Sequence, residues 1–197
     1  MTNIVYKKSY SAPPVDKRGA LRYAEVRGEC AEAEIMLDEC ISDSRDILSY
    51  NLCFGKYPLT RVENLLDFGF SKVKSEKLSS HLSDCSEVIV FAATVGASFD
   101  RLAARYAKVS PAKALILQGL GAERVEALAD LFCSELVEGG LELTPRFSAG
   151  YGDLSLEFQR DLFRALDCQK SIGLTLNESL MMSPTKSITA IIGIKDK

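Results

Sequence analysis

Residues 88–95 read Val-Ile-Val-Phe-Ala-Ala-Thr-Val, apolar at every position but Thr94, and Gly96 ends the run. A short continuous apolar stretch closed by a turn residue is the pattern of a strand covered on both faces, not of an alternating strand with one wet face. Even extended to residue 97 the run is too short to cross a bilayer. The rest of the chain must therefore supply material for both sides of a central strand.

Helical patterns dominate that material. Ala33, Ile35, Leu37, Cys40, Ile41 and Ile47 recur among acids at mostly helical spacing, which predicts an amphipathic helix over 31–47. Leu48, Tyr50, Leu52 and Phe54 then alternate with smaller or polar residues, the mark of a half-buried strand. Gly55-Lys56-Tyr57-Pro58 reads as a turn into a weaker strand around 60–68, and Ser75 as the cap of a short helix reaching about residue 84. Beyond Gly96, Phe99, Leu102, Ala103 and Tyr106 again mark a helix.

Ser110-Pro111 opens a long helix, since a first-turn proline gives up no intrahelical hydrogen bond, and Gly139-Gly140 stop it. Its apolar positions are Leu115, Leu117, Leu120, Val125, Leu128, Leu131, Phe132 and Leu136. Gly119 and Gly121 lie inside, each costing about 1 kcal/mol relative to alanine. Close approach of another element or of a ligand accounts for such a pair, and so does a local kink, which pattern alone favours.

A Pro- and Gly-rich loop leads through Gly152 to a helix of about three turns over 155–167. Ile172, Leu174 and Leu176 alternate with small or polar neighbours, and 187–194 reads as a closing strand. Residues 1–18, with Ser11-Ala12-Pro13-Pro14, read as an irregular N-terminal arm ahead of one domain over 19–197. Strands and helices mix without regular alternation, which points to a single α+β domain and away from a doubly wound sheet.

Composition closes several functional classes. At 47% hydrophobic and 26% charged residues the chain folds, and a net charge of −3 with scattered Lys and Arg does not supply the concentrated basic face that nucleic acid needs. The first twenty residues lack an apolar leader, so a cytoplasmic protein with no membrane partner is expected. The six cysteines have no zinc or redox spacing and are expected to be reduced, mostly as small core residues.

His81 is the one histidine, in a polar helical segment where a solvent-facing position is expected, so neither a Ser-His-Asp triad nor a histidine metal site has its parts. His81-Leu82-Ser83-Asp84 lacks the spacing of a corrinoid-ligating loop, and Gly119-Leu120-Gly121 lacks the third glycine and preceding strand of a dinucleotide fingerprint. Neither a catalytic residue nor a metal ligand emerges.

The segment Arg146-Phe147-Ser148-Ala149-Gly150-Tyr151 is different. Arginine grips a carboxylate with two parallel hydrogen bonds, glycine lets backbone approach a ligand, and tyrosine offers a flat face and a hydroxyl. An amino-acid-like or nucleoside-like ligand suits the set. A surface turn in which Arg146 pairs with an acid and Tyr151 packs on the core suits it too.

Arg146-x-x-x-Gly150-Tyr151, Gln159, Ile172-Gly173-Leu174-x-Leu176-x-x-Ser179 and Met182-x-Pro184-x-x-Ser187, in that order, resemble the activation domain of cobalamin-dependent methionine synthase. Upstream, Leu21-Arg22-Tyr23, Arg27-Gly28 and Phe91-Ala92-Ala93-Thr94-Val95-Gly96 are similar to its shorter stand-alone members, so the likeness spans about residues 18–194. The resemblance implies a twisted, mainly antiparallel sheet with several packed helices. It also implies a methyltransferase-system component for methionine biosynthesis that binds S-adenosylmethionine and does not turn over alone. Its partner would be a separate corrinoid-binding methionine synthase chain that carries cobalamin, reactivated from inactive cob(II)alamin with an electron from a flavodoxin-like donor. A non-catalytic clamp on a corrinoid protein, or a small-ligand sensor, is the alternative.

Carried over by position, Arg146, Ala149, Gly150 and Tyr151 would bind S-adenosylmethionine, with Arg146 on the methionine carboxylate or supporting the loop. Glu126 would attract the ammonium or sulfonium, unless it is a solvated acid spaced with Asp130. Met181, Met182 and Pro184 are expected to shape a turn and fill core, and Lys186 to be a surface charge or to meet an anionic partner. Phe147 departs from the larger proteins. The sequence also ends at Lys197, short of their C-terminal extension with its further aromatic contacts, and lacks their other domains, so methyl transfer is expected to need another chain.

Overall fold

A computed structural model describes residues 4–196. In chain order the first half contains β1 (Tyr6–Tyr10), α1 (Lys17–Tyr23), α2 (Ala31–Ser44), β2 (Tyr50–Pro58), β3 (Thr60–Val62), β4 (Leu65–Asp67), β5 (Lys72–Lys74) and α3 (Glu76–His81). The second half contains β6 (Cys85–Thr94), α4 (Ala97–Val109), α5 (Pro111–Glu138), α6 (Gln159–Leu166), α7 (Cys168–Ile172), β7 (Thr175–Leu176), β8 (Met182–Ser183) and β9 (Ser187–Lys195). The four long strands form one antiparallel sheet in the order β1-β2-β6-β9, while β3-β4-β5 and β7-β8 form small antiparallel sheets of their own.

Residues 88–94 of the apolar run fall in β6, between β2 and β9, and are buried on both faces. Alternation divides it: Ile89, Phe91 and Ala93 enter one core with Ala20 of α1, Leu37 of α2, Phe99 of α4 and Leu120 of α5. Val88, Val90 and Ala92 enter a second core with Leu78 of α3, Leu162 of α6 and Cys168 of α7. Leu52 and Cys53 split the same way on β2. Each fully buried Val, Ile or Phe contributes about 1.5–3 kcal/mol, so the sheet is held from two sides. The domain is α+β, with helices on both faces of an antiparallel sheet.

The predicted Ser75 cap forms, and the helix that Ser110-Pro111 opens is capped by Ser110 as well. Ser75 Oγ accepts from the Leu78 N–H at 3.0 Å, and Ser110 Oγ from the Lys113 N–H at 3.4 Å, starting α3 and α5. The core face of α4 is Phe99, Leu102, Ala103 and Tyr106, as its spacing predicts. On α2 and α5 the faces are narrower than expected, because Ile35, Leu115 and Leu131 face solvent.

Five expectations about the elements need correction. The N-terminal arm is not irregular throughout: β1 pairs along β2 from Tyr6↔Phe54 to Tyr10↔Tyr50, and α1 already begins at Lys17. Its central Lys-Lys-Ser hides the strand, while Tyr6 stacks on Phe54 with ring centroids 5.2 Å apart and Tyr10 Oη donates to Glu135 at 2.7 Å. Residues 1–3 of that arm lie outside the described residues.

Residues 55–58 are strand and not turn, because Gly55 makes room for the Tyr57 ring, whose Cε2 lies 2.8 Å from where a β-carbon would stand. Gly119 and Gly121 serve close packing instead of a kink. A β-carbon at Gly119 would sit 2.6 Å from the Ala24 N–H nitrogen and against the Ala20 carbonyl, so α1 crosses α5 backbone to backbone. Finally, Ile172 ends α7, and only Thr175–Leu176 pair as strand, because Gly173 turns the chain in the left-handed region. The helix expected over 155–167 starts as a tight turn at Leu156–Phe158, continues as α6 and breaks at Asp167, itself left-handed with φ 45°.

Candidate functional site

The outer edge of β9 is covered by residues 143–148. Leu143 bridges Ile194, and Phe147 and Ile191 exchange backbone hydrogen bonds of 2.9 and 2.8 Å. Ser148 Oγ adds a bond to the Thr189 carbonyl at 2.9 Å. Neighbours on an extended segment point to opposite faces, so Phe147, buried in the second core, sends Arg146 toward α5.

There Arg146 Nη2 donates to Asp130 Oδ1 at 2.8 Å and forms an ion pair with Glu126 Oε2 at 2.9 Å, two acids one turn apart on α5. Nη1 of the same guanidinium is buried and has no hydrogen-bond partner, the one such side-chain atom among the described residues. A buried donor left unpaired costs about 1–3 kcal/mol. Arg146 is thus anchored by one nitrogen, while the other is enclosed without a partner.

Arg146 also borders a groove of about 570 Å³ between the later half of α5 and residues 143–146. Asp130, Glu138 and Arg146 give it charge, while Cys133, Val137, Leu143 and Pro145 give it apolar walls. Apolar walls with a few convergent polar groups are the usual make-up of a small-molecule site. Burial pushes the Cys133 thiol up, against the pull of Arg146.

Past Phe147 the chain turns. Tyr151 N–H donates to the Ser148 carbonyl at 3.1 Å, and Gly150 N–H donates to the Leu154 carbonyl at 2.9 Å. Gly150 has φ 86°, a conformation that favours glycine. Its N–H is consumed by the turn. Tyr151 is 67% exposed and meets the Phe147 ring edge-on at 5.3 Å, so it does not pack into the core.

The structure therefore brings Arg146 and Glu126 together and leaves Ala149, Gly150 and Tyr151 on an adjoining turn that does not line the groove. Three further residues hold this region. Asp130 shares Arg146 with Glu126. His81, half-buried and not solvent-facing, bonds through Nε2 to the Pro145 carbonyl at 2.8 Å, its ring 5.3 Å from that of Phe147. Asp153 caps α3, accepting from Ser75 Oγ at 2.5 Å and from the Glu76 N–H at 2.7 Å. No local spacing announces these contacts, since His81 and Asp153 each reach a segment far along the chain.

Of the later segment, Pro184 is buried and Met182 packs on the second core, but Met181 is exposed and fills none of it. Lys186 is half-buried, lying over Gly121, and burial lowers its ammonium pKa. Among the described residues no helix is long and apolar enough to cross a membrane, and no group of three or more His, Cys, Asp or Glu is placed to hold a metal ion.

No family model matches this chain, and no curated protein sequence matches it. Its fold does have a solved counterpart, the crystal structure of the MetH reactivation domain bound to AdoHcy. The two share a TM-score of 0.71 over 98% of this chain and 78% of that chain, at 16% sequence identity.

Proposed function

We propose that this chain binds S-adenosylmethionine and serves as a stand-alone reactivation component of a cobalamin-dependent methionine synthase. The observation that carries this reading is the unpartnered Nη1 of Arg146, a residue that borders a groove, in a fold whose solved counterpart was crystallised with AdoHcy. A ligand carboxylate satisfies that donor with a charge-assisted hydrogen bond. Glu126 and Asp130 leave the cluster with excess negative charge, suited to the ammonium or sulfonium of the same ligand. Ala149, Gly150 and Tyr151 contribute from the adjoining turn, where the exposed Tyr151 ring offers a face to adenine or to a partner.

Cobalamin belongs on the partner in this reading, because this chain offers no corrinoid-ligating loop. When bound, the corrinoid supplies the methyl-accepting cobalt. The residues of this chain hold the donor, and a flavodoxin-like protein supplies the electron.

Isothermal titration of the intact chain with S-adenosylmethionine and S-adenosylhomocysteine tests the reading. Arg146→Ala is expected to weaken binding about tenfold or more, the equivalent of one lost charge-assisted bond of about 1.5–3 kcal/mol. Methyl transfer is expected only when a corrinoid-binding partner and reductant are both present. Failure of the wild type to bind either compound, with or without the partner, rejects the proposal. Partner binding with no ligand effect would favour a clamp.

A further inference from the structure

Two hydrogen bonds tie β1 and β2 to the α6–α7 region. Tyr57 Oη donates to the Ala165 carbonyl at 2.8 Å, and Lys7 Nζ donates to the Lys170 carbonyl at 2.9 Å. Lys7 is the register partner of Cys53, so both side chains emerge on the same sheet face. Between these ties along the chain stands Cys168, the first residue of α7. Cys53 and Cys168 are buried in the same core, and each thiol is the main influence on the acidity of the other.

The chemistry of the pair is asymmetric. The Cys168 thiol lowers the Cys53 thiol pKa, and the Lys7 ammonium assists, while the Cys53 thiol and burial raise Cys168. A cation beside one thiol of a facing pair favours the thiolate that attacks disulfides.

Access follows from the same geometry. A cleft of about 500 Å³ bordered by Arg160, Asp167, Cys168 and Leu174 reaches this region, and one of about 300 Å³ bordered by Lys7, Asn51 and Ile172 reaches it as well. Between them α7 has five residues, framed by left-handed Asp167 and Gly173. So short an element opens locally at far lower cost than the domain unfolds.

We propose that Cys53 and Cys168 form a reversible intramolecular disulfide that fastens β2 to α7. The Cys53 thiolate attacks a low-molecular-weight disulfide such as oxidised glutathione, forming a mixed disulfide and releasing one small thiolate. Cys168 gives its proton to solvent and attacks the Cys53 sulfur, closing the bridge and releasing the second small thiolate. Two protein thiols are oxidised by two electrons and one small disulfide is reduced to two thiols.

The test incubates the native, full chain with oxidised glutathione, blocks free thiols, digests without reductant and maps the linked peptides by mass spectrometry. A monomeric Cys53–Cys168 link that dithiothreitol removes is expected, with a melting temperature that rises on oxidation and returns on reduction. Cys168→Ser is expected to stop at a glutathione adduct on Cys53, and Cys53→Ser to leave Cys168 largely unmodified, because the attacking thiol is gone. The proposal is overturned if the pair stays free while half-buried Cys30 and Cys133 are modified, or if the link appears only after denaturation.

Discussion

Ser75 Oγ donates to Asp153 Oδ1 at 2.5 Å while accepting from the Leu78 N–H at 3.0 Å, so one hydroxyl caps α3 and ties it to the segment that follows the Arg146 turn. The Asp153 carboxylate adds the Glu76 N–H at 2.7 Å. A helix start and a candidate ligand turn are thereby one hydrogen-bonded unit.

Ser75→Ala is expected to cost about 1 kcal/mol, the typical loss of an N-cap, read by urea unfolding. The cap also gives a pH signature. The hydrogen bond from Ser75, followed by those from Glu76 and Lys77, lowers the Asp153 carboxyl pKa. A carboxyl lowered in the folded state stabilises above the unfolded value, near 4, and loses that contribution as pH falls through the folded value. Asp153→Asn is expected to flatten this acid limb of the stability profile; an unchanged limb would assign it to other carboxylates.

Gly119→Ala sets two effects against each other. Helix propensity alone favours alanine by about 1 kcal/mol. The new methyl would meet backbone atoms of Ala20 and Ala24, which cannot swing aside as a side-chain tip can. Overpacking of this kind costs about 1–3 kcal/mol, so net destabilisation is expected in chemical denaturation. A more stable variant would mean that α1 can shift away from α5.

What was legible along the chain was local. The two-sided burial of β6, the α4 face, the Ser75 cap and the α5 start at Ser110-Pro111 follow from residues within a few positions of one another. What escaped depends on distant partners. β1 exists because β2 offers it an edge, and Gly119 is silent until α1 lies on it. In the candidate site, Arg146 and Glu126 stand out separately along the chain, but the shared role of Asp130 and the spare Nη1 require α5 and the 143–148 segment to be side by side. Cys53 and Cys168 likewise have no spacing signature.

Arg124 is a buried clamp on the arm between β1 and α1. Its Nε meets Glu123 Oε2 at 2.5 Å, Nη1 the Pro13 carbonyl at 2.6 Å and Nη2 the Pro14 carbonyl at 2.7 Å, while Glu123 Oε1 takes the Asp16 N–H at 3.1 Å. Arg124→Ala leaves Glu123 buried without its counter-charge and is expected to cost about 3–5 kcal/mol. Replacing both residues by leucine is expected to cost less than the sum of the two single changes. A double-mutant cycle in urea measures this coupling, and additive losses would show that the two residues act independently.

Tyr57 gives the alkaline counterpart. Its ring is buried over Gly55, its hydroxyl donates to the Ala165 carbonyl, and burial pushes its pKa from 10.0 up to about 12. The folded state thus holds the phenolic proton more tightly than the unfolded chain. Its contribution to stability is full below pH 10 and declines as pH rises toward 12. Tyr57→Phe is expected to cost about 1 kcal/mol at neutral pH through the lost hydrogen bond, and to shallow the alkaline slope, because phenylalanine has no proton to lose. Unfolding followed at several pH values between neutral and 12 checks both parts. A variant with the wild-type slope would place the alkaline transition on Tyr10, Tyr50 or Tyr106, whose hydroxyl pKa values burial also raises.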